Sequence, residues 1–190
     1  MRYILIILLL IPNISYASNL ASPPVNTERA SMDTDYLSKI YDSIIKFAYG
    51  NLYEDSVGTV ITVTTAGTYY KWVSGDAGDS RGVTLSAGGS TNNMTIKSGY
   101  AGEYGVSFAC SYEASATDTV HWGIFKNGVK LEQASSQTKI SNANSQLNVD
   151  GLGLVSLSAG DVIDLRVTSS TNGTTITVNH VSLAIWKIGI

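Results

Sequence analysis

The chain has 190 residues, a formal net charge of −3, 44% hydrophobic residues and only 14% charged residues. Thr, Ser, Asn and Gly stand where charge is missing, which excludes a helical bundle built on Glu, Lys, Ala and Leu, and the supply of aliphatic and aromatic residues excludes general disorder. Lys and Arg occur singly, so no basic footprint for nucleic acid is present, and one cysteine makes no intrachain disulfide.

Residues 1–17 read MRYILIILLLIPNISYA. A positive Arg2, an apolar run from Ile4 to Ile11, a break at Pro12, and small Ser15 and Ala17 before Ser18 form a signal peptide with its cleavage site. The run is far shorter than the roughly 20 residues that span a bilayer, so no transmembrane anchor is expected after cleavage. Residues 18–32, with Pro23 and Pro24 among small polar residues, read as a linker.

Residues 33–49 carry a helical period. Leu37, Ile40, Ile44 and Phe47 alternate spacings of three and four, and Tyr41, Ile45 and Ala48 widen the stripe. Asp33 or Thr34 can cap the start, and Gly50 can follow the end as the C′ residue. The same four residues form an a/d register over about two heptads. The helix therefore either lies across the following domain or forms a short stalk between identical chains.

From Gly50 to Ile190 the period becomes that of strands. Thr59–Thr64, Thr68–Val73, Gly82–Ser86 and Asn93–Lys97 precede the clearest one, Glu103–Ala114, whose even positions Tyr104, Val106, Phe108, Cys110 and Tyr112 share one face. Thr119–Lys126 and Val129–Gln133 flank Asn127-Gly128, a hairpin signal. Ser135–Asn144 reads as a polar loop. Leu147–Leu157 is apolar on both faces in its second half, as a buried central strand would be. Val162–Thr168, a second hairpin signal at Asn172-Gly173, Thr174–Val178 and Val181–Ile188 complete the chain. About ten strands at close spacing with no helix between them predict an all-β antiparallel sandwich or barrel.

The runs Gly102-Glu103-Tyr104-Gly105-Val106-Ser107-Phe108, Gly123-Ile124-Phe125-Lys126-Asn127-Gly128, Val155–Leu165 (VSLSAGDVIDL) and Ser182-Leu183-Ala184-Ile185 together resemble the jelly-roll domain of the complement globular-head and tumour necrosis factor superfamily. The likeness is greatest to versions in phage fibre and neck proteins and bacterial surface proteins, and it covers roughly residues 50–188. The resemblance implies an antiparallel jelly-roll β-sandwich, a compact homotrimer with the preceding helix as a possible stalk, and binding or display in place of catalysis. It supplies no ligand residues. The signal peptide departs from the phage pattern, because virion proteins assemble in the cytoplasm.

Candidate chemistry is sparse. The alternation directs Cys110 into the core beside aromatics, where a thiolate is disfavoured. His121 and His180 each stand alone on a strand, and no catalytic motif surrounds them. Asp76 and Asp79, in Gly75-Asp76-Ala77-Gly78-Asp79, are candidate calcium ligands, competing with a solvated turn. Tyr69, Tyr70 and Trp72 compete between core packing and, if exposed, stacking on sugars, with Tyr70 and Trp72 the candidate ligand residues. Asn93-Met94-Thr95 and Asn172-Gly173-Thr174 are sequons, relevant only to a eukaryotic secretory route.

The expected protein is thus a non-enzymatic trimeric surface or fibre-head protein, secreted or at the cell surface, or alternatively on a virion. Its expected partners are copies of itself and a glycan or protein receptor. A monomeric secreted carbohydrate-binding module is the alternative. The small-residue face of Glu103–Ala114 is where a second layer or neighbouring subunit is expected to approach.

Overall fold

A computed structural model describes residues 46–55, 58–89 and 91–189. The described residues form strands and no helix, in the order β1 (Tyr49–Glu54), β2 (Val60–Val63), β3 (Tyr70–Lys71), β4 (Asp76–Arg81), β5 (Val83–Ser86), β6 (Asn93–Ile96), β7 (Gly102–Ala114), β8 (Thr119–Lys126), β9 (Val129–Lys139), β10 (Gln146–Leu157), β11 (Val162–Ser169) and β12 (Thr174–Gly189). They make two six-stranded antiparallel sheets. Sheet A runs β10-β7-β12-β1-β4, with β2 also on β12. Sheet B runs β5-β6-β11-β8-β9, with β3 also on β11. This is the antiparallel jelly-roll sandwich that the alternation and the resemblance lead one to expect.

The core lies between the sheets. Tyr104, Val106, Phe108, Cys110 and Tyr112 of β7 line up with Val181, Leu183 and Ile185 of β12, and Trp122, Ile124, Leu165 and Val167 come from sheet B. All are buried, and each large apolar side chain among them contributes about 2 kcal/mol by leaving water. Two buried carboxylates tie the layers together. Glu54 of β1 accepts bonds from the Thr59 amide (3.0 Å) and hydroxyl (2.7 Å), and from the indole of Trp72 (2.6 Å), which continues β3 along β11. Asp118, ahead of β8, accepts from the Thr119 amide (2.6 Å), Thr174 Oγ1 (3.0 Å) and the hydroxyls of Ser169 and Ser170, so it clamps the passage from β11 in one sheet to β12 in the other.

Several expectations are corrected. The helical stripe in the sequence runs to Tyr49, but Lys46–Ala48 are not helical and Tyr49 opens β1. Ala48, Gly50, Leu52 and Glu54 alternate inward because β12 supplies a pairing partner along the whole segment. Gly50 is thus a strand residue with Leu85 and Val83 close to it, not a helix C′ residue. Leu37, Ile40 and Ile44, and with them the stalk, lie outside the described residues, as does the signal peptide. Asp76–Arg81 is an edge strand in place of a turn, held only by β1. The polar loop expected from Ser135 is strand as far as Lys139, because β8 extends far enough to pair with it. Asn127-Gly128 is a tight hairpin with both residues at positive φ (51° and 82°), whereas Asn172-Gly173 joins strands in opposite sheets and is no hairpin. The two last expected strands are one, β12, with a bulge at Asn179-His180 that returns Val181 to the same face as Val178. The strand read as central, β10, is at the edge of sheet A.

Candidate functional site

The outer face of sheet A is set by register. Directly across the sheet run Leu154, Gly105, Trp186, Tyr49 and Arg81. The next row is Leu152, Ser107, Ala184 and Asn51, and the next is Asp150, Ala109, Ser182, Tyr53 and Asp76. Asn148, Ser111 and His180 follow. One end is apolar: Leu152 and Leu154 are 63% and 62% exposed, Trp186 is 38% exposed, and Tyr49, Ile188 and Phe47 are exposed beside them. The other end is polar, and there His180 Nδ1 lies 3.3 Å from Asp55. A shallow depression of about 270 Å³ lies at this polar end between Ala109, Asn148 and His180.

Glycine shapes this face. A Cβ on Gly105 would sit 2.4 Å from the Trp186 ring, so only glycine lets the indole lie flat across β7. On this face of β7, Gly105 therefore receives a close approach from Trp186. Ala109 stays exposed, and among the described residues no second layer covers the face. The edge of β10 is partly guarded by β9, where the Gln133 side chain donates to the Leu154 carbonyl (3.0 Å). The opposite edge is guarded by the charged β4, as edge strands commonly are.

The sequence-derived candidates distribute as follows. Trp72 is fully buried with its indole N–H on Glu54, so it cannot stack on a sugar, and this corrects its candidacy as a ligand residue. Tyr70 is half-buried; its hydroxyl pairs with Thr64 Oγ1 and accepts the Thr65 amide (3.0 Å), which lowers its pKa. Asp76 and Asp79 are exposed on β4, and no group of three or more His, Cys, Asp or Glu gathers among the described residues. Phe47 is exposed. Cys110 is buried, and burial, followed by the charge of Glu54, pushes its thiol far up, so it is inert at neutral pH. Cys110 faces the core from sheet A, whereas His180 projects from that sheet's outer face and His121 from the outer face of sheet B, so the three do not converge. Sequence reading missed the outward Leu152, Leu154, Trp186 and Tyr49. The signal is present in β10 as apolar residues on both faces, which by themselves do not distinguish a central strand from an edge strand with an exposed apolar face.

No protein-family profile matches the chain, and no curated protein does. Solved structures share its fold. The Eiger tumour necrosis factor of S. frugiperda superposes with a TM-score of 0.51 at 13% identity, over 75% of this chain and 93% of that one. The globular domain of zebrafish complement 1qA protein superposes with a TM-score of 0.51 at 14% identity, over 74% of this chain and 96% of that one. The chain carries the jelly-roll fold of tumour necrosis factor-like ligands and complement globular heads.

Proposed function

We propose that this protein is a non-enzymatic display head that associates through the outer face of sheet A into a homotrimer and presents the rest of its surface to a receptor. The apolar rows through Leu154, Trp186 and Leu152 carry this reading. An edge strand that is apolar on both faces leaves its second face bare in a single chain, and burying it against another copy removes that cost. The number three is what the resemblance to complement globular heads and tumour necrosis factors implies. Export by residues 1–17 would deliver the head to the outside, secreted or at the cell surface; assembly on a virion is the alternative destination. Among the described residues no helix is long and apolar enough to cross a membrane.

The test is solution mass by light scattering on a sizing column. Three chain masses support the reading. One chain mass overturns it and leaves a monomeric sugar-binding module, which would then have to work without Trp72.

A further inference from the structure

A second cleft lies on the opposite layer, on the outer face of sheet B. Strands β8 and β9 pair regularly from Thr119↔Lys139 to Gly123↔Ser135, and pairing resumes at Phe125↔Lys130. Between these points Ile124 alone faces Leu131–Ala134. Of this surplus chain Ala134 turns inward and is buried against β10, where a Cβ on Gly153 would lie 2.9 Å from Ala134 Cβ, while Glu132 and Gln133 stay exposed. The separation leaves a cleft of about 310 Å³ lined by Tyr69, His121, Lys130, Glu132 and Ser135–Gln137. That volume is at the lower end for small-ligand sites, enough for one compact ring.

Its wall is braced from behind. Tyr69 and Phe125 pack edge to face with their ring centroids 5.0 Å apart. The Arg166 guanidinium caps Phe125 at 4.5 Å. Arg166 in turn donates twice to Asp164 (2.6 and 3.0 Å), which also pairs with Lys71 at 3.5 Å. Lys130 Nζ sits 5.6 Å from the Tyr69 ring centroid and 2.8 Å from Glu132. Tyr69 and Lys130 therefore have partners before any ligand arrives, which lowers the ordering cost of binding.

The lining chemistry narrows the ligand. Lys130 and Glu132 cancel in charge, so an anion such as phosphate gains from one and loses to the other. An apolar ligand would strip water from seven polar or amphipathic side chains without replacing it. A pyranose matches. Its hydroxyls can donate to the Glu132 carboxylate and accept from Lys130 and the Gln137 amide, and its C–H face fits an aromatic wall such as Tyr69.

We infer that this cleft binds one neutral, uncharged sugar ring, such as a terminal hexose of a glycan. The assignment rests on the display reading above, for which it names the receptor chemistry, and it places the sugar site on the layer opposite the self-association face.

The experiment is saturation-transfer NMR on the purified chain with methyl glycosides of glucose, galactose, mannose, fucose and the N-acetylhexosamines, with inorganic phosphate as the anionic comparison. At least one glycoside is expected to bind with a dissociation constant of about a millimolar, the scale for so few atoms. Tyr69→Ala and Gln137→Ala should each lower its affinity at least tenfold. Glu132→Gln, at an exposed side chain whose loss does not threaten folding, should lower it about fivefold. Saturation by none of the glycosides, saturation that is unchanged in Glu132→Gln and Gln137→Ala, or binding of phosphate alone would overturn the assignment. Solution mass tests trimerisation separately, so a trimer without sugar binding sinks this inference and spares the display reading, and a sugar-binding monomer does the reverse.

Discussion

The two outer faces of the sandwich differ although both are made by strands of the same period. On sheet A the outward rows carry Leu152, Leu154 and Trp186 beside small residues at one end and Asp150, Asn148 and His180 at the other. On sheet B they carry Lys71, Asp164, Arg166, Phe125 and Lys130, ion-paired and interrupted by the cleft beside β9. The apolar end of sheet A suits a copy of the same chain, since burying Leu152, Leu154 and Trp186 takes apolar surface out of water. A pitted polar face suits water and a small polar ligand. The core between them is shared, so each exterior can be broken without changing the other, provided the ties between the sheets survive.

The largest expected effect is on assembly. Leu152→Asp together with Leu154→Asp places two charges in the apolar rows, and the solution mass should fall threefold to that of one folded chain with unchanged far-ultraviolet dichroism. Fluorescence sharpens the same point. Of the three tryptophans, Trp72 and Trp122 are fully buried and only Trp186 is exposed in a single chain. Iodide should quench the double variant and leave the assembled protein nearly unquenched; equal quenching of both would show that the face is open in each.

Next come the ties. Glu54→Leu strands the Trp72 indole N–H and the Thr59 donors in a buried place. A loss of about 3 kcal/mol is expected from the midpoint of urea unfolding, with an unchanged slope. Because Glu54 joins the layers, this variant should weaken assembly and sugar binding together, unlike any substitution on one outer face.

Asp118 provides a tie that depends on pH. Burial alone raises its pKa, but the hydroxyls of Ser169, Ser170 and Thr174 and the Thr119 amide outweigh that and hold it at about 2. A carboxyl depressed in the folded state stabilises fully above its unfolded value near 4, and the contribution disappears as pH falls toward 2. This amounts to about 2 kcal/mol. Acid titration of stability should therefore be steeper in the native chain than in Asp118→Asn between those limits.

The smallest effect belongs to the β8–β9 hairpin. Asn127 holds φ at 51° and its side chain bonds Asp161 (2.7 Å) and the Val162 amide (2.8 Å). Asn127→Ala should cost about 2 kcal/mol or slightly less in thermal unfolding, and Asn127→Gly less than that. Neither should alter the solution mass.

Much of this was legible in the sequence. The alternation in Glu103–Ala114 identified the inward set of β7, the Asn127-Gly128 pair gave the one true two-residue hairpin it announced, and the same alternation turned Cys110 inward to an inert position. The candidate faces were less legible. For Tyr70 and Trp72 the sequence leaves core packing and sugar stacking in competition, and only the packing of the two sheets reveals that their face is the inner one. Tyr69, on the other face, lines the cleft. The edge strand β4 carries no large apolar residue that would announce it; it exists because β1 offers it hydrogen bonds.

The sequence by itself determined which residues alternate, and with them the inward set of β7 and the shape of the β8–β9 turn, because these depend on neighbours one to four positions away. Only the tertiary structure decided that β10 stands at an edge, that β1 pairs with β12 at the far end of the chain, and that β11 and β12 part into opposite sheets. Those outcomes depend on hydrogen-bond partners and packing surfaces brought together from distant segments. A strand's own residues record that one of its faces must be covered, but not whether the cover comes from the same chain.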